Sequence, residues 1–508
     1  MRGWAGYAAS TLTALSLAAC GGGGGDAGSS GGGTPAQPQF APSASLAQQC
    51  APTNTRAPAA LRVGSLDVEK RWLRSYMDEA YLWYDQVPSI DASQPQYSGT
   101  ADIAGSMDAY FYSLLTPQHT ASGKYVDQFS FTIPTAEWTA MSQQSVEVGY
   151  GVMWAVSYAP NAAVVTWVAP GSAAESAGVQ RGDRLYSVDN TLVSAADARA
   201  FYDIVFPANA GTSHRMSFTR DSGAIGPDVT LAAAAVTLPS VPIVQTFPTA
   251  SGKVGYVLFN THHAPAEAAL IDAVNQLKTA GITDLVLDLR YNRGGYLYIA
   301  SELAYMIAGP ARANGRVFEK LSYNAKRRTE NAQTPMPFES TSCILSATSN
   351  NCTNEQPLPT LNLGRVYVLA TDSTCSASES IINGLRGIDV DVHIVGSATC
   401  GKPYGFLGRD NCGTSYFPME FKGTNAKGFG DYADGFAPDC AANDDFAHAL
   451  GSSDEGMLAA ALAYRQSGAC VARSAGGTRW QASASGRTSA AVAHAPIRGL
   501  RVAGPGTR

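Results

Sequence analysis

The chain has 508 residues, a formal net charge of −6 at pH 7 and 15% charged side chains. This length exceeds what a single hydrophobic core supports, so two or more domains are expected. Without a basic surplus the chain is a poor match for nucleic acid, whose phosphate backbone is bound by clustered Lys and Arg.

The N-terminus has the layout of an export signal. Arg2 precedes an apolar run, Trp4 to Leu17, that is too short to span a bilayer as a helix. The run continues into Ala18-Ala19-Cys20, which resembles a bacterial lipobox and implies cleavage before Cys20 and lipidation of its thiol. The alternative is an ordinary secretory signal. Residues 1–19 are therefore predicted to be a lipoprotein signal peptide. The residue after Cys20 is not Asp, which favours anchoring in the outer membrane, facing the periplasm.

Composition predicts the two ends of the folded part. Residues 20–50 are rich in Gly, Ser and Pro and are expected to be a flexible tether, because they cannot bury enough apolar area to fold. Residues 472–508 share this deficit and are predicted to be a disordered tail. Residues 51–140 place apolar side chains such as Trp72 and Tyr76 close to helical spacing, which predicts a small helical region.

Residues 141–240 are predicted to be β-rich, because short apolar runs are interrupted by Gly and Pro. Two stretches, Pro170–Ala174 and Ala177–Asn190, resemble the core of a circularly permuted PDZ domain. Four upstream residues match the PDZ loop that binds the C-terminal carboxylate of a peptide, namely Gly149, Tyr150, Gly151 and Val152. Successive backbone N–H groups suit that anion, and an adjacent strand edge can pair with the peptide. The alternative is a β-rich module whose glycines only form turns.

Residues 241–471 alternate β-branched and helical stretches, which is typical of an α/β layered domain. The predicted strands are Val254–Phe259, Leu285–Leu289, Val366–Ala370 and Val392–Val395. Between the first two, apolar residues recur at helical spacing and predict a helix over Ala266–Ala280.

Three motifs follow predicted strands. Strand 366–370 runs into Cys375-Ser376-Ala377-Ser378-Glu379 and then into a helical stretch, so Ser376 stands at a corner where free helix N–H groups face the exposed side chain. Taken alone, Ser376-x-x-Glu379 is a capping box with a structural role. The next strand is followed by Thr399-Cys400-Gly401-Lys402, and strand 285–289 is followed by Arg290-Tyr291-Asn292-Arg293-Gly294-Gly295.

Together these motifs resemble those of the C-terminal processing, or tail-specific, proteases, and the domain order agrees over about residues 68–470. The resemblance implies a serine endopeptidase with Ser376 as nucleophile and Lys402 as general base, acting on C-termini or unfolded segments of exported polypeptides. It implies an α/β catalytic domain, crotonase/ClpP-like, with an inserted PDZ domain and a small N-terminal helical region. Neither a metal nor an organic cofactor is required.

The resemblance also assigns supporting residues. The oxyanion hole would be formed by the backbone N–H groups of Gly294 or Gly295 and of Ala377. Glu379 is a candidate third catalytic member. Two positions depart from the family pattern. Phe406 stands where several relatives have a glutamine that orients the lysine, and Arg293 replaces the usual proline, a change expected to be harmless. Because an unperturbed lysine titrates near ~10.4, Lys402 must be desolvated to act as a base.

Apart from Cys20 the chain has eight cysteines, an even number that indicates disulfides in an exported protein and leaves their pairing open. Cys375 and Cys400 flank the nucleophile and base motifs and are hypothesised to be bonded. Two further pairs bracket loops that a disulfide could close, Cys343 with Cys352 and Cys412 with Cys440.

Other functions compete with this interpretation. There is no Gly-x-Ser-x-Gly elbow, and His262, His263 and His393 occur in no catalytic motif, so a Ser/His/Asp hydrolase is disfavoured. The main alternative is a non-catalytic, lipid-anchored receptor that binds peptides in the PDZ groove; the presence of both Ser376 and Lys402 favours catalysis. A crotonase-type acyl-CoA enzyme is a third candidate, without an evident site for the CoA phosphates.

Overall fold

Three segments follow one another along the computed structural model, which describes residues 40–470 apart from 121–122, 159, 221–222, 344, 347–348 and 353–354. The described residues from Ala41 onward belong to one compact unit. The predicted signal peptide, Cys20, most of the predicted tether and the predicted tail lie outside the described residues. Within the described part, no helix has both the length and the apolar character needed to cross a bilayer.

The first segment is mainly helical, as its aromatic spacing predicts. Its elements are α1 (Leu66–Ala80), α2 (Ile103–Ser113), β1 (Phe131–Pro134) and α3 (Thr135–Gln144). The Ser65 hydroxyl accepts a hydrogen bond from the Val68 N–H and caps α1. Trp72 and Tyr76 are buried in a core that also contains Phe406 and Phe417 of the last segment. The helical region is therefore built against the α/β segment and shares its core.

The folded part begins inside the stretch predicted to be a tether. The Ser43 backbone N–H and hydroxyl donate to the Glu79 carboxylate (2.7 and 2.5 Å). Cys50 is fully buried and forms a disulfide with Cys412. Because a covalent bond and charge-assisted hydrogen bonds hold residues 43–50, a flexible tether can extend no further than about residue 42.

The second segment is a small β-sheet with two short helices. Its elements are β2 (Val146–Gly149), β3 (Val152–Tyr158), β4 (Asn161–Val168), α4 (Ala173–Ser176), β5 (Arg184–Val188), β6 (Thr191–Leu192), α5 (Ala198–Val205), β7 (Ser213–Thr219), β8 (Val229–Ala232) and β9 (Ala234–Thr237). The sheet order is β3-β4-β5-β7-β8, while β6 pairs with β5 and β2 pairs with β9. Among the described strands β3 pairs only with β4, so its other edge is open.

The third segment is the α/β layer predicted from the sequence. Its elements are β10 (Ile243–Thr249), β11 (Gly252–Leu258), α6 (Ala266–Ala280), β12 (Ile282–Asp288), α7 (Leu297–Ala308), α8 (Pro310–Ala313), β13 (Val317–Tyr323), α9 (Arg328–Asn331), β14 (Met336–Pro337), β15 (Leu345–Ser346), β16 (Ser349–Cys352), β17 (Arg365–Ala370), α10 (Ala377–Gly387), β18 (Asp391–Gly396), β19 (Tyr404–Gly405), β20 (Arg409–Asn411), β21 (Thr414–Phe417), β22 (Phe421–Thr424), β23 (Cys440–Ala441) and α11 (Gly456–Ser467). The four predicted strands are β11, β12, β17 and β18, and α6 has the predicted bounds.

The main sheet has the order β10-β11-β12-β17-β18-β23. Strand β10 is antiparallel to β11, and the other neighbours are parallel. Helices α6, α7 and α10 bury their apolar residues against one face, and α11 packs on the other. Because parallel strands present their carboxyl ends at one edge, the segments that follow β12, β17 and β18 meet there.

Two smaller sheets lie beside the main sheet, and one of them joins the first segment to the last. One has the order β14-β13-β22-β19, and the other has the order β1-β21-β20. In the second, Phe131 of the first segment pairs with Phe417 of the last. The chain therefore returns to its N-terminal region after β18 and before it adds β23 to the main sheet.

Among the cysteines whose side chains the structure describes, three disulfides form: Cys50–Cys412, Cys375–Cys400 and Cys440–Cys470. The hypothesised bond between Cys375 and Cys400 is confirmed. The alternative in which Cys412 and Cys440 close a loop with each other is wrong, because each is bonded to a distant cysteine. The Cys352 side chain lies outside the described residues, so the pairing of Cys343 with Cys352 stays a prediction.

Candidate active site

The three sequence motifs meet at the carboxyl edge of the main sheet. The glycine turn follows β12, the Ser376 corner follows β17, and the Lys402 loop follows β18. The Asn292 carbonyl accepts from the Cys375 N–H (3.1 Å) and the Ser378 hydroxyl (3.0 Å), which fastens the glycine turn to the corner. The fold therefore brings together residues that lie more than 100 positions apart in sequence.

Ser376 has an unusual backbone conformation. It precedes α10 with φ 56° and ψ −120°, a region that non-glycine residues rarely adopt. Such a conformation costs about 1–3 kcal/mol and persists only where surrounding contacts enforce it. The residue is 2% exposed. The predicted strand-to-helix corner is thus present, and its strain is typical of a residue held for chemistry.

Glu379 connects the corner to the loop that carries Lys402. Its carboxylate accepts hydrogen bonds from the backbone N–H groups of Ser376 (3.0 Å), Gly401 (2.9 Å) and Lys402 (2.8 Å) and from the Thr399 hydroxyl (2.6 Å). The capping box predicted at this position therefore forms and reaches further than a cap. Burial raises the pKa of Glu379, while these hydrogen bonds lower it.

A covalent bond reinforces the same connection. Cys375 and Cys400 form a disulfide with their Cα atoms 5.2 Å apart, and the Cys400 N–H donates to the Thr374 carbonyl (3.1 Å). Both sulfur atoms belong to the disulfide, so they do not offer thiolate ligands to a metal together with the nearby Glu379. The two loops are held at a fixed separation.

Lys402 is enclosed by apolar groups. The residue is 1% exposed, and its Nζ has no hydrogen-bond partner among the described residues. Nζ lies 4.7 Å from the ring centre of Phe406 and 5.4 Å from that of Phe129. Burial lowers the pKa of Lys402 to about 7, and the charges of Asp127 and Glu379 oppose this shift. About half of the amine is therefore neutral near pH 7.

Part of this lysine pocket was not expected from the sequence. Asp127 and Phe129 precede β1 in the first segment, and the Asp127 carboxylate accepts from the N–H groups of Phe129 (3.0 Å) and Ser130 (2.9 Å) and from the Tyr81 hydroxyl (2.7 Å). Asp followed by N–H donors two and three residues later is a common local turn, so the pattern itself indicates structure only. Its position beside Lys402 depends on the pairing of β1 with β21.

The glycine turn lies directly against the Ser376 corner. A Cβ added to Gly294 would lie 2.8 Å from Ser376 Cβ and 3.0 Å from the Ala377 nitrogen, and Gly294 has φ 95°. Only glycine fits this position without displacing the corner. The Gly294 N–H donates to Asn292 Oδ1 (3.0 Å). Within the described part of the chain, the N–H groups of Gly295 and Ala377 have no hydrogen-bond acceptor.

The three histidines named in the sequence analysis lie in local packing contacts; His262 and His263 are buried and His393 is partly exposed. His262 Nδ1 lies 3.0 Å from Asn292 Oδ1, so His262 supports the glycine turn from behind. Burial lowers the pKa of His262 to about 3 and that of His263 to about 4, which keeps both rings neutral. His393 stacks on Tyr367 with ring centres 5.0 Å apart and faces Asp391.

The predicted peptide-binding residues form the turn from the end of β2 to the start of β3. The carbonyls of Tyr150 and Gly151 accept from the N–H groups of Ala174 (3.1 Å) and Ala169 (2.7 Å). Tyr150 is 1% exposed and its hydroxyl donates to the Ile204 carbonyl (3.0 Å), which ties the loop to α5. The side chain of Tyr150 therefore packs inside the domain. The loop begins the open-edged strand β3, where Val152 is the first residue.

Comparison with known proteins gives three family matches in chain order. Residues 69–131 match the peptidase S41 N-terminal domain, residues 164–216 match a PDZ domain, and residues 253–405 match peptidase family S41. The last match contains the Ser376 corner, the glycine turn and Lys402. The PDZ match begins after the predicted carboxylate loop.

Two curated relatives have related names. The chain is 28% identical over 239 residues to the carboxyl-terminal-processing protease of Picosynechococcus sp., covering 46% of this chain and 49% of that protein. It is 28% identical over 157 residues to the chloroplastic C-terminal processing peptidase of Tetradesmus obliquus, covering 28% and 33%. The chain thus spans half or less of the length of the curated relatives it matches.

A crystal structure of a Bacteroides fragilis protein assigned as an S41 protease has a similar fold. The TM-score is 0.57 at 24% identity, and the similarity covers 78% of this chain and 97% of that chain. The overall architecture, with an N-terminal region, a PDZ domain and an α/β domain, is that of the S41 peptidases.

Proposed function

Because the chain belongs to the S41 family of C-terminal processing peptidases, whose three domains it carries in order, we propose that it is a serine endopeptidase that hydrolyses peptide bonds of exported proteins. Ser376 is the proposed nucleophile and Lys402 the proposed general base. The observation that carries the proposal is the Lys402 amine, which is buried and without a hydrogen-bond partner among the described residues, in a loop bonded to the Ser376 corner.

The proposed reaction has two stages. Ser376 Oγ attacks the peptide carbonyl carbon while the neutral Lys402 amine takes the hydroxyl proton and then delivers it to the leaving amine. The resulting acyl-enzyme is hydrolysed by a water that Lys402 deprotonates, and the second tetrahedral intermediate collapses to release the new carboxyl end and regenerate the serine. A pKa of about 7 suits this alternation, since a base works best when its pKa lies near the working pH.

The oxyanion of each tetrahedral intermediate needs two preorganised donors. We assign them to the N–H groups of Gly295 and Ala377, because Gly294 already donates to the Asn292 side chain. Glu379 is proposed as a positioning residue: its carboxylate accepts four hydrogen bonds from the two catalytic loops. Phe406, at the position of the family glutamine, would serve by desolvating the Lys402 amine.

The proposal extends to the fold and to peptide recognition. A parallel sheet with a nucleophile at its carboxyl edge supports a crotonase/ClpP-like catalytic domain. The loop Gly149–Val152 is proposed to bind the C-terminal carboxylate of an exported polypeptide, whose backbone would pair with the open edge of β3 beside α5. Neither step calls for a metal or an organic cofactor.

We also propose export and membrane anchoring. Cleavage before Cys20 and lipidation of its thiol would attach the chain to the outer membrane, facing the periplasm. The disulfides Cys50–Cys412, Cys375–Cys400 and Cys440–Cys470 support export, because such bonds persist in oxidising compartments.

The test uses the chain from Gly21, which lacks only the signal and the lipidated cysteine. Cleavage of a partly unfolded protein is compared among wild type, Ser376→Ala, Lys402→Ala and the control Lys278→Ala, whose lysine is exposed on α6. We expect wild type and the control to cleave and both site variants to lose activity while remaining folded. Activity in either site variant would refute the dyad, and an inert wild type that binds peptides would favour the receptor.

A further inference from the structure

Arg293 is the residue at which the glycine turn departs from the family, which usually has proline there. Its Nη1 atom is buried and has no hydrogen-bond partner among the described residues. Within the same residues no carboxylate lies close enough to form an ion pair with Arg293. A guanidinium stays charged in proteins, so this position holds a positive charge without a bonded counterion.

Two other arginines of the same region, one buried and one partly buried, are paired. Arg290, three residues earlier, is fully buried and contacts Asp288 (2.8 Å) and Glu455 (2.7 Å). Arg181 contacts Asp444 at 2.6 Å. Arg293 is partly buried, and its buried Nη1 atom has no such partner, so a ligand with a carboxylate could supply one.

The position of Arg293 suits contact with a substrate. The next residue, Gly294, packs against the corner that holds Ser376. Arg293 is therefore adjacent in sequence to a residue that contacts the proposed nucleophile. Burial lowers the pKa of Arg293, whereas the nearby Asp372 and Tyr158 raise it. Asp372 belongs to the loop that leads to Ser376, and Tyr158 ends β3. Arg293 therefore lies where the catalytic corner and the open-edged strand of the PDZ domain approach each other.

The direction of a bound chain leads to the same place. A C-terminus held at Gly149–Val152 would extend upstream along β3 towards Tyr158. Seven residues of strand span roughly 20 Å, so a residue about seven positions upstream would reach the end of β3. From there the chain would pass Arg293 on its way to Ser376.

We infer that Arg293 forms a carboxylate-binding subsite in the substrate cleft, which selects polypeptides with a carboxylate near the scissile bond. This inference rests on the proposed peptidase function. The carboxylate can be an Asp or Glu side chain or the C-terminal group of a short substrate, and the planar guanidinium can bind either one through two parallel hydrogen bonds. The Asp372 carboxylate also interacts with the Arg293 charge, so it reduces the preference of this subsite for an acidic substrate.

The experiment uses quenched fluorescent peptides that differ only by Glu or Gln at one position at a time on both sides of the cleaved bond. Each is made with a free and with an amidated C-terminus. The quantity measured is the ratio of kcat/KM for the acidic peptide to that for its neutral partner. A charge-assisted hydrogen bond predicts a ratio of roughly 10 to 100 at one position, and the competition with Asp372 favours the lower end.

Three variants test the assignment. Arg293→Gln removes the charge and is expected to bring the ratio close to one. Arg293→Lys keeps a positive charge but lacks the planar guanidinium that can form two parallel hydrogen bonds, so an intermediate ratio is expected. Arg316→Gln, which removes an exposed charge outside the site, should keep the wild-type ratio. Thermal unfolding verifies that each variant is folded. If amidation of the C-terminus lowers kcat/KM, the recognised group is the C-terminal carboxylate. If replacement of Glu by Gln lowers kcat/KM, the recognised group is a side chain.

Two results would overturn the subsite: a wild-type ratio near one for every pair, or a folded Arg293→Gln variant that keeps the ratio. Binding to Ser376→Ala separates this failure from failure of the peptidase function. If wild type is inert, tighter binding of an acidic peptide to Ser376→Ala, lost on adding Arg293→Gln, supports the subsite alone. Equal affinities for the acidic and neutral peptides would refute it.

Discussion

Replacing Lys402 by Met should inactivate the protein and also stabilise it. Met has a similar length and no amine, so it fits the apolar pocket formed with Phe406 and Phe129 without a buried charge. The pKa of Lys402 falls from 10.5 to about 7 because the pocket disfavours the ammonium form. At 1.36 kcal/mol per pKa unit, protonated Lys402 lowers the free energy of unfolding by up to about 5 kcal/mol.

The size of the stabilisation by Lys402→Met depends on pH in a defined way. Below pH 7 the amine is protonated in both the folded and the unfolded chain, so the full penalty applies and the gain from Lys402→Met is largest. Between about pH 7 and 10.5 only the unfolded chain binds the proton. The stability of wild type then rises with pH, and the advantage of the variant shrinks by about 1.4 kcal/mol per pH unit.

Chemical denaturation at pH 6, 7, 8 and 9 measures this difference, with Lys278→Met on the exposed face of α6 as the matched control. We expect the gain for Lys402→Met to be constant up to pH 7 and to decline above it, whereas the control shows no such trend. A Lys402→Met variant that is less stable than wild type at pH 6, or a difference that does not depend on pH, would refute the proposed desolvated amine.

Three further outcomes follow from the same contacts. The kcat/KM of wild type should rise through an apparent pKa of about 7 as Lys402 loses its proton, by about tenfold between pH 6 and 8; a flat profile over that range would contradict the role of the base. Glu379→Gln turns an amide NH2 towards N–H donors and should lower the free energy of unfolding by about 3 kcal/mol, together with kcat; denaturation and steady-state kinetics measure both, and a neutral result would show that the four hydrogen bonds are dispensable. Gly294→Ala forces a methyl group against Ser376 and should reduce kcat by at least about tenfold, with KM measured in parallel; wild-type turnover would refute the close packing of the turn.

Much of the catalytic segment is predictable from local signals. Helix α6 has the bounds that its apolar spacing predicts, and four buried strands of the main sheet coincide with β-branched runs. Since these strands are parallel, the motifs at their carboxyl ends meet without further information. The assignment of Ser376, Lys402 and the glycine turn to one site is what the family resemblance of their motifs implies, and the parallel strand order agrees with it.

The remainder depends on contacts that no local pattern encodes. The four donors to Glu379 come from both its own corner and the loop after β18, so the sequence shows only the capping half of its role. The tether boundary is misjudged because Cys50 is fixed by a cysteine 362 positions away. The positive φ of Ser376 is likewise not a propensity of serine, and it occurs where Gly294 packs against the corner.

The pairing of β1 with β21 has a consequence for how this protein can be divided and assembled. One wall of the lysine pocket, Phe129, is synthesised nearly 300 residues before the strand that holds it in place. A fragment limited to the family-matched residues 253–405 would therefore leave the amine facing water, and its pKa would return towards that of an ordinary lysine. Because the pocket closes through contacts between residues nearly 300 positions apart, we expect the Lys402 amine to keep the pKa of an ordinary lysine until β1 has paired with β21.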